Sequence, residues 1–393
     1  MKIAVVHPYV SVKGGAEVVC ASVLKFLVMN GGCCTLFTCD SADQAKGALF
    51  ELTEMSFDDL EVVTVSSALL WLLALKKPAA LIGYALCHRL LRKRIARGGD
   101  GFEAIVSTYG ELDVATDVPA FCFVHYPIFL PRESARIGGR LTRFPFVRRL
   151  YTQAARRLAE FSAIAPQTVV LTNSEWTRAE IERAGCLSQI EVIYCPVKGF
   201  PRGACRAEWM AVGAQRPDGR VKVASLGRLV GYKGHGELVA ALRMVHAETG
   251  QRFDLLFAGR GNEADVAEIE RLSCDAVAVQ VLLNGSRDEI GAALGDVHFG
   301  VSAFQFEHFG IAVAELMATG VQMFVPRGGG QVEIVCDERF IFSDWDDFVG
   351  KVVNELASGA LFVQLEDPDQ LGRFSEARFH QRLSSALGFA VVC

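Results

Sequence analysis

The chain has twelve cysteines but no Cys-x-x-Cys pair. Cys33, Cys34 and Cys39 cluster, and others sit in apolar runs such as "FCFVHY". That spacing argues against zinc and redox motifs; free thiols buried as small hydrophobes in a reducing compartment explain it better. Excess charge is also missing: 40 Lys+Arg against 45 Asp+Glu leave −5 over 393 residues, which argues against nucleic acid as the main partner. No G-x-G-x-x-G follows the first strand pattern, so a dinucleotide is unsupported. The opening "MKIAVVHPYV" lacks the charged start, long apolar core and small-residue cleavage site of a signal peptide; it reads as a buried strand, and a cytoplasmic location is expected.

No apolar run reaches the ~20 residues that span a bilayer. Residues 65–91, "VSSALLWLLALKKPAALIGYALCHRLL", come nearest, but Lys76, Lys77 and Pro78 divide them. They read either as a pair of buried helices or as a hydrophobic flap in a membrane interface, the reading favoured here. Residues 132–157 carry Arg132, Arg136, Arg140, Arg143, Arg148, Arg149, Arg156 and Arg157, with no acid between Glu133 and Glu160. This bias suits a solvated helix face, anionic headgroups or a pyrophosphate-linked acceptor.

What is present is alternation. β-rich runs, "KIAVV", "CTLFTC", "AIVST", "AFCFVHY", "TVVLTNS" and "IEVIYCPV", are interleaved with helical patterns. A second series follows: "VKVASLGRL", "FDLLFAGRG", "AVQVLLNG", "VHFGVSA" and "QMFVPRG". Continuous apolar strands alternating with helices imply parallel sheets covered on both faces. At this length two α/β domains are expected, 1–197 and 198–370, with a last helical segment, 371–393, packing back on the first. Ligands of such sheets bind at the carboxyl ends of the strands, so the cleft between two facing domains is the expected site.

Three segments carry chemistry. Gly14 and Gly15 in "VKGGAE" lie between a strand and a helix, where backbone can approach an anion, although a plain tight turn fits too. "SLGRLVGYKG" sets Arg228 and Lys233 on a glycine-rich loop able to grip a diphosphate. "FQFEHFGIAVAELMATG" places Glu307 before a helix that starts around Phe309, Gly310 and Ile311, and Glu315 inside it. Eight helical residues rise ~12 Å, too far for the ~5 Å carboxylate pair of a retaining glycosidase. Two separated acceptors near an anion-binding helix end suit hydroxyl recognition on a nucleotide-sugar, Glu307 facing the sugar and Glu315 the ribose. Two D-x-D triplets, "DWD" at 344–346 and "DPD" at 367–369, are poor metal candidates: the first suits a helix cap and the second a linker. No metal site is expected.

"EHFGIAVAE" resembles the E-x7-E element of retaining GT-B glycosyltransferases of family 4, "GRLVGYKG" their diphosphate-gripping Arg and Lys, and "GGAE" their N-terminal glycine loop. "FVHYP", "TNSEWT", "VIYCPV" and "GGGQVEIV" follow in family order. "HPYVSVKGGAE", "FVHYP" and "EHFGIAVAE" together are most similar to the α-1,2-mannosyltransferases that extend dolichol-linked oligosaccharides. The resemblance implies two Rossmann-like doubly wound domains, a nucleotide-sugar co-substrate (GDP-mannose before a UDP-sugar), retention of configuration, and no cofactor or metal.

By matching position, the resemblance implies that Arg228 and Lys233 stabilise the leaving diphosphate and that Glu307 orients the sugar. Glu315 would hold the ribose, while Gly14 and Gly15 close on phosphates or acceptor. Phe309, Gly310 and Ile311 form the donor-side helix start, and Gly328, Gly329 and Gly330 add backbone donors. His125 would lie near the reacting carbon; a satisfied core histidine is the alternative. The expected reaction is hexosyl transfer to a lipid-linked or membrane-proximal glycan, peripherally at a cytosolic membrane face through 65–91 and 132–157. Alternatives are a UDP-sugar enzyme with a soluble acceptor and an inactive GT-B scaffold, against which Arg228, Lys233, Glu307 and Glu315 together argue. The loop "LLNGSRDEI" offers no hydrogen-bond code for the base.

Overall fold

Apolar runs without polar alternation build two all-parallel sheets, as strands buried on both faces require. The computed structural model describes residues 1–12, 14–65, 80–98, 101–111, 117–129, 145–200, 219–359 and 368–388. The chain divides into two compact units, Met1–Pro196 with Glu376–Cys393, and Val197–Ser375.

The first unit runs β1 (Lys2–Val6), α1 (Gly15–Met29), β2 (Cys33–Thr38), α2 (Ala42–Thr53), β3 (Glu61–Thr64), α3 (Ala80–Gly98), β4 (Ala104–Ser107), β5 (Ala120–Val124), α4 (Pro145–Ala159), β6 (Val169–Thr172), α5 (Glu175–Arg183) and β7 (Ile190–Val192). Its strand order is β3-β2-β1-β4-β5-β6-β7. The second runs β8 (Val221–Leu226), α6 (His235–Thr249), β9 (Phe253–Gly259), α7 (Glu263–Glu270), β10 (Val277–Leu283), α8 (Arg287–Ala293), β11 (Phe299–Val301), α9 (Ile311–Ala318), β12 (Gln322–Pro326), α10 (Val332–Val335), β13 (Ile341–Phe342) and α11 (Trp345–Ser358). Its order is β10-β9-β8-β11-β12-β13. In each sheet the order reverses beside the first strand, between β1 and β4 and between β8 and β11. A crevice opens at the carboxyl ends of strands at such points.

The two Rossmann-like α/β domains expected from the sequence are therefore present. Edge strands β3 and β13 gave little signal, since β3 is only partly buried and β13 has two residues. Asp344 of "DWD" caps α11, its carboxylate accepting from the Asp347 amide at 2.9 Å. Asp367 of "DPD" lies outside the described residues.

The apolar stretch 65–91 needs correction. Residues 66–79 lie outside the described residues, but 80–91 open α3, where Ala85, Cys87, His88 and Leu91 are buried in the first unit's core. That half of the stretch is core, not a flap. Among the described residues no helix is long and apolar enough to cross a membrane.

The last helix, α12 (Glu376–Leu387), belongs to the first unit. It buries Phe379 and Leu383, and the Phe379 ring sits 6.3 Å from that of Phe123 in β5. Its start is pinned to α1 by Lys25 Nζ on Glu376 at 2.7 Å. Emptying a buried aromatic position costs ~3–5 kcal/mol, whereas a half-exposed ion pair contributes ~0–1 kcal/mol. Phe379→Ala should therefore lower the first unit's urea midpoint far more than Lys25→Ala; equal effects would show that α12 is held by charge and not by packing.

Candidate active site

In the second unit, the loops after β8 and β11 meet at the strand-order reversal. They line a small pocket of about 30 Å³ with Gly227, Arg228, Lys233, Ser302, Phe304 and Glu307. Lys233 ends a short 3-10 turn, and its Nζ lies 2.5 Å from Glu307 Oε2 and 4.2 Å from the Phe304 ring centre. Both side chains are mostly shielded from water, so the pair is stronger than a surface bridge. Arg228 is exposed at the pocket rim, and its guanidinium has no ion pair among the described residues. One cation is thus held by a carboxylate and the other is open to an anion. Ser225, His235 and Ser302 also line the pocket; they stand within or beside the segments read from sequence, which gave them no role.

Backbone contacts fix the Glu307 loop. Its carbonyl accepts from the Gly330 amide at 2.8 Å, and a Cβ on Gly329, whose φ is +73°, would lie 2.1 Å from that oxygen. The buried Gln331 side chain donates to the carbonyls of Phe304 at 3.0 Å and Gly328 at 3.1 Å. The glycine run in "GGGQVEIV" thus supports the Glu307 loop. After it, Phe309 is buried, Gly310 caps the helix in the left-handed region and Ile311 begins α9.

Glu315 does not share this pocket. Its Oε1 accepts from Arg287 Nη1 at 2.7 Å. Arg287 also donates to the carbonyls of Lys198 at 2.5 Å and Gly199 at 3.0 Å, and stacks 4.5 Å from the Phe200 ring centre. Burial pushes the Glu315 carboxyl above its ordinary range, and Arg287 pulls part of that back. Arg287, in the segment "LLNGSRDEI", is the first residue of α8. Its pairing with Glu315 spans 28 positions, beyond local pattern.

Gly14, Gly15 and His125 belong to the first unit. The Gly14 amide donates to Glu17 Oε2 at 2.7 Å, and a Cβ on Gly14 would meet that oxygen at 2.7 Å. Gly15 is the first residue of α1. His125 follows β5, and its Nε2 donates to the Thr108 carbonyl at 3.0 Å. Burial lowers its pKa to about 4. It is neutral at physiological pH, with one N–H already committed, and so is no proton donor of the imidazolium kind.

Comparison with known proteins fits this geometry. Residues 211–366 match the family model "Glycosyl transferases group 1". Sucrose-phosphate synthase from Thermosynechococcus elongatus superposes with a TM-score of 0.68 at 15% identity, over 99% of this chain and 98% of that one. The likeness shows the fold, that of GT-B proteins, and the group 1 match lies within the second unit's part of the chain. Among curated proteins, the GDP-Man:Man(3)GlcNAc(2)-PP-Dol alpha-1,2-mannosyltransferase of Xenopus laevis is 23% identical over 66% of this chain. Its counterpart from Dictyostelium discoideum is 22% identical over 95%. The matched stretches span 58% of the Xenopus protein and 81% of the Dictyostelium one.

A pH dependence follows from Glu315. Folded protein keeps the carboxyl proton to higher pH than unfolded chain, so this group's contribution to stability falls as pH rises from the ordinary carboxylate range through the raised value. Glu315→Gln should remove that fall. Urea midpoints of wild type and variant between about pH 4 and 8 are expected to converge at the acid end and separate above it; parallel curves would show that Glu315 titrates normally.

Proposed function

We propose that the protein is a retaining, metal-independent family 4 glycosyltransferase that moves mannose from GDP-mannose onto a lipid-linked glycan. The observation that carries this reading is the pocket joining free Arg228 to the Lys233–Glu307 pair at the carboxyl ends of β8 and β11. Breaking a glycosyl–phosphate bond leaves charge on the diphosphate. Two preorganised cations are suited to receive it, Arg228 by its fork and Lys233 by exchanging Glu307 for a phosphate oxygen. Glu307, released from Lys233, is then an acceptor for the sugar hydroxyls. Glu315 serves the ribose from its place in α9, with Arg287 offsetting part of the effect of its burial. Gly14, Gly15 and neutral His125 act from the first unit on the acceptor and reacting carbon. The phosphate oxygen that departs takes the acceptor's proton. Mannose, GDP and the lipid-linked acceptor are favoured by the names of the curated relatives.

Peripheral membrane contact is assigned to α4. Arg132, Arg136, Arg140 and Arg143 lie outside the described residues. Within α4, Ala155 and Ala159 are buried, while Phe146 is 71% and Leu150 51% exposed beside exposed Arg149 and Arg157. Large apolar and cationic side chains on one outward face suit an anionic bilayer surface.

Two measurements test this reading. GDP at 100 times its dissociation constant should stabilise the protein by about 2.7 kcal/mol, and Lys233→Ala should lose that thermal shift; a shift with UDP alone would overturn the donor, and none with any nucleotide would favour an inactive scaffold. Transfer should survive a chelator. Secondly, the protein should float with vesicles containing phosphatidylserine but not with neutral ones, and Phe146→Ser with Leu150→Ser should abolish flotation. Equal flotation of wild type and variant would remove α4 from the contact, and no flotation of the wild type would leave a soluble acceptor as the better reading.

A further inference from the structure

Near the Gly14–Gly15 turn lies a histidine, the first residue of "HPYVSVKGGAE", to which the sequence reading gave no role. His7 follows β1, is fully buried, and sits at the strand-order reversal beside the end of β4. Its Nδ1 is 2.9 Å from Thr108 Oγ1. That hydroxyl can donate to the Val6 carbonyl at 3.2 Å while accepting from His7. On the other side, Nε2 faces Glu17 Oε1 at 3.6 Å. That distance is an ion-pair contact and not a hydrogen bond, and Nε2 has no hydrogen-bond partner among the described residues. A carboxylate this close to a fully buried ring favours the protonated form of the ring.

The surroundings agree. Glu17 and Cys20 face His7 from α1, Thr108 from the end of β4, and His125 lies close enough to interact electrostatically. The Tyr109 ring packs edge-on at 5.3 Å. Burial alone would pull His7 down, but Cys20 and Glu17 more than offset it and raise the group to about 10. Glu17 moves the opposite way: burial pushes its carboxyl up, and His7 with the Gly14 amide brings it below its usual value.

Glu17 is also the group that takes the Gly14 amide at 2.7 Å, and Thr108 is the residue whose carbonyl takes the His125 Nε2–H at 3.0 Å. Polar contacts thus run from Gly14 through Glu17, His7 and Thr108 to His125, with the Glu17–His7 step an ion-pair contact and the others hydrogen bonds. We propose that His7 is a positioning residue for glycosyl transfer, a buried imidazolium that joins the Gly14–Gly15 turn to the ring of His125 so that both hold one geometry. This rests on the transferase reading above. His7 acts through its neighbours; its fixed charge also favours the neutral form of His125.

The test uses the intact protein labelled with 15N-histidine, alongside kinetics of mannosyl transfer. His7 should show both nitrogens protonated from about pH 6 to 8.5, well past the ordinary histidine range, and Glu17→Gln should bring its titration into that window. His7→Asn still offers Thr108 a donor but carries no charge; kcat should fall roughly tenfold or more while GDP affinity at the second unit stays unchanged. The losses of His7→Asn and His125→Asn should be non-additive, as for residues in one network. A neutral His7 in an active wild type overturns the proposal alone, as do additive losses or a parallel fall in GDP affinity. A wild type that transfers no sugar while His7 is charged overturns the transferase reading, and the positioning role with it.

Discussion

The second unit is organised around one contact, the ammonium of Lys233 set against the carboxylate of Glu307 at 2.5 Å. It closes the strand-order reversal between β8 and β11 and decides what a ligand must do to enter. An isolated lysine in that place would be a poorly solvated charge with nothing to balance it. In the proposed reaction, an incoming diphosphate replaces one charge-assisted hydrogen bond by another of similar strength, so the pocket needs no large opening cost. Glu307 can hold this position because its backbone is fixed independently of its side chain, by Gly330 on its carbonyl and by Gln331 bracing the carbonyls of Phe304 and Gly328.

The same logic recurs at the other shielded carboxylates. Glu315 has Arg287, whose remaining donors tie down the chain at Lys198 and Gly199. Glu17 has His7 and the Gly14 amide. In each case an acid that burial would neutralise is paired with a cation from another loop or strand end, and the pair also sets a backbone segment near the expected chemistry. Charge compensation and loop geometry are one device here.

Much of this was legible beforehand, for local reasons. Apolar strands ending in glycine-rich loops mark a parallel sheet by period and composition, and Arg228, Lys233 and Glu307 fall just past such strands. Other pairings were not legible. Arg287 and Glu315 belong to different helices, and His7 reads as an ordinary strand end in "VVHPYV"; pairing across a sheet leaves no periodic trace. The apolar half-segment 80–91 was misread because a helix packed between a sheet and α4 is as hydrophobic as one meant for lipid. Its burial depends on α4, which arrives more than fifty residues later in the sequence.

The two units also differ in how their chain is disposed. The second is continuous, Val197–Ser375, while the first is completed only by the segment from Glu376 onward. During vectorial synthesis, in which domains tend to fold as units, the whole of the second unit's sequence has been made before α12 exists. The groove that will receive Phe379 and Leu383 must stay open through that interval, with Phe123 lacking its aromatic neighbour. The unit that begins first is thus finished last, and its nascent form is where a chaperone would find apolar surface to bind.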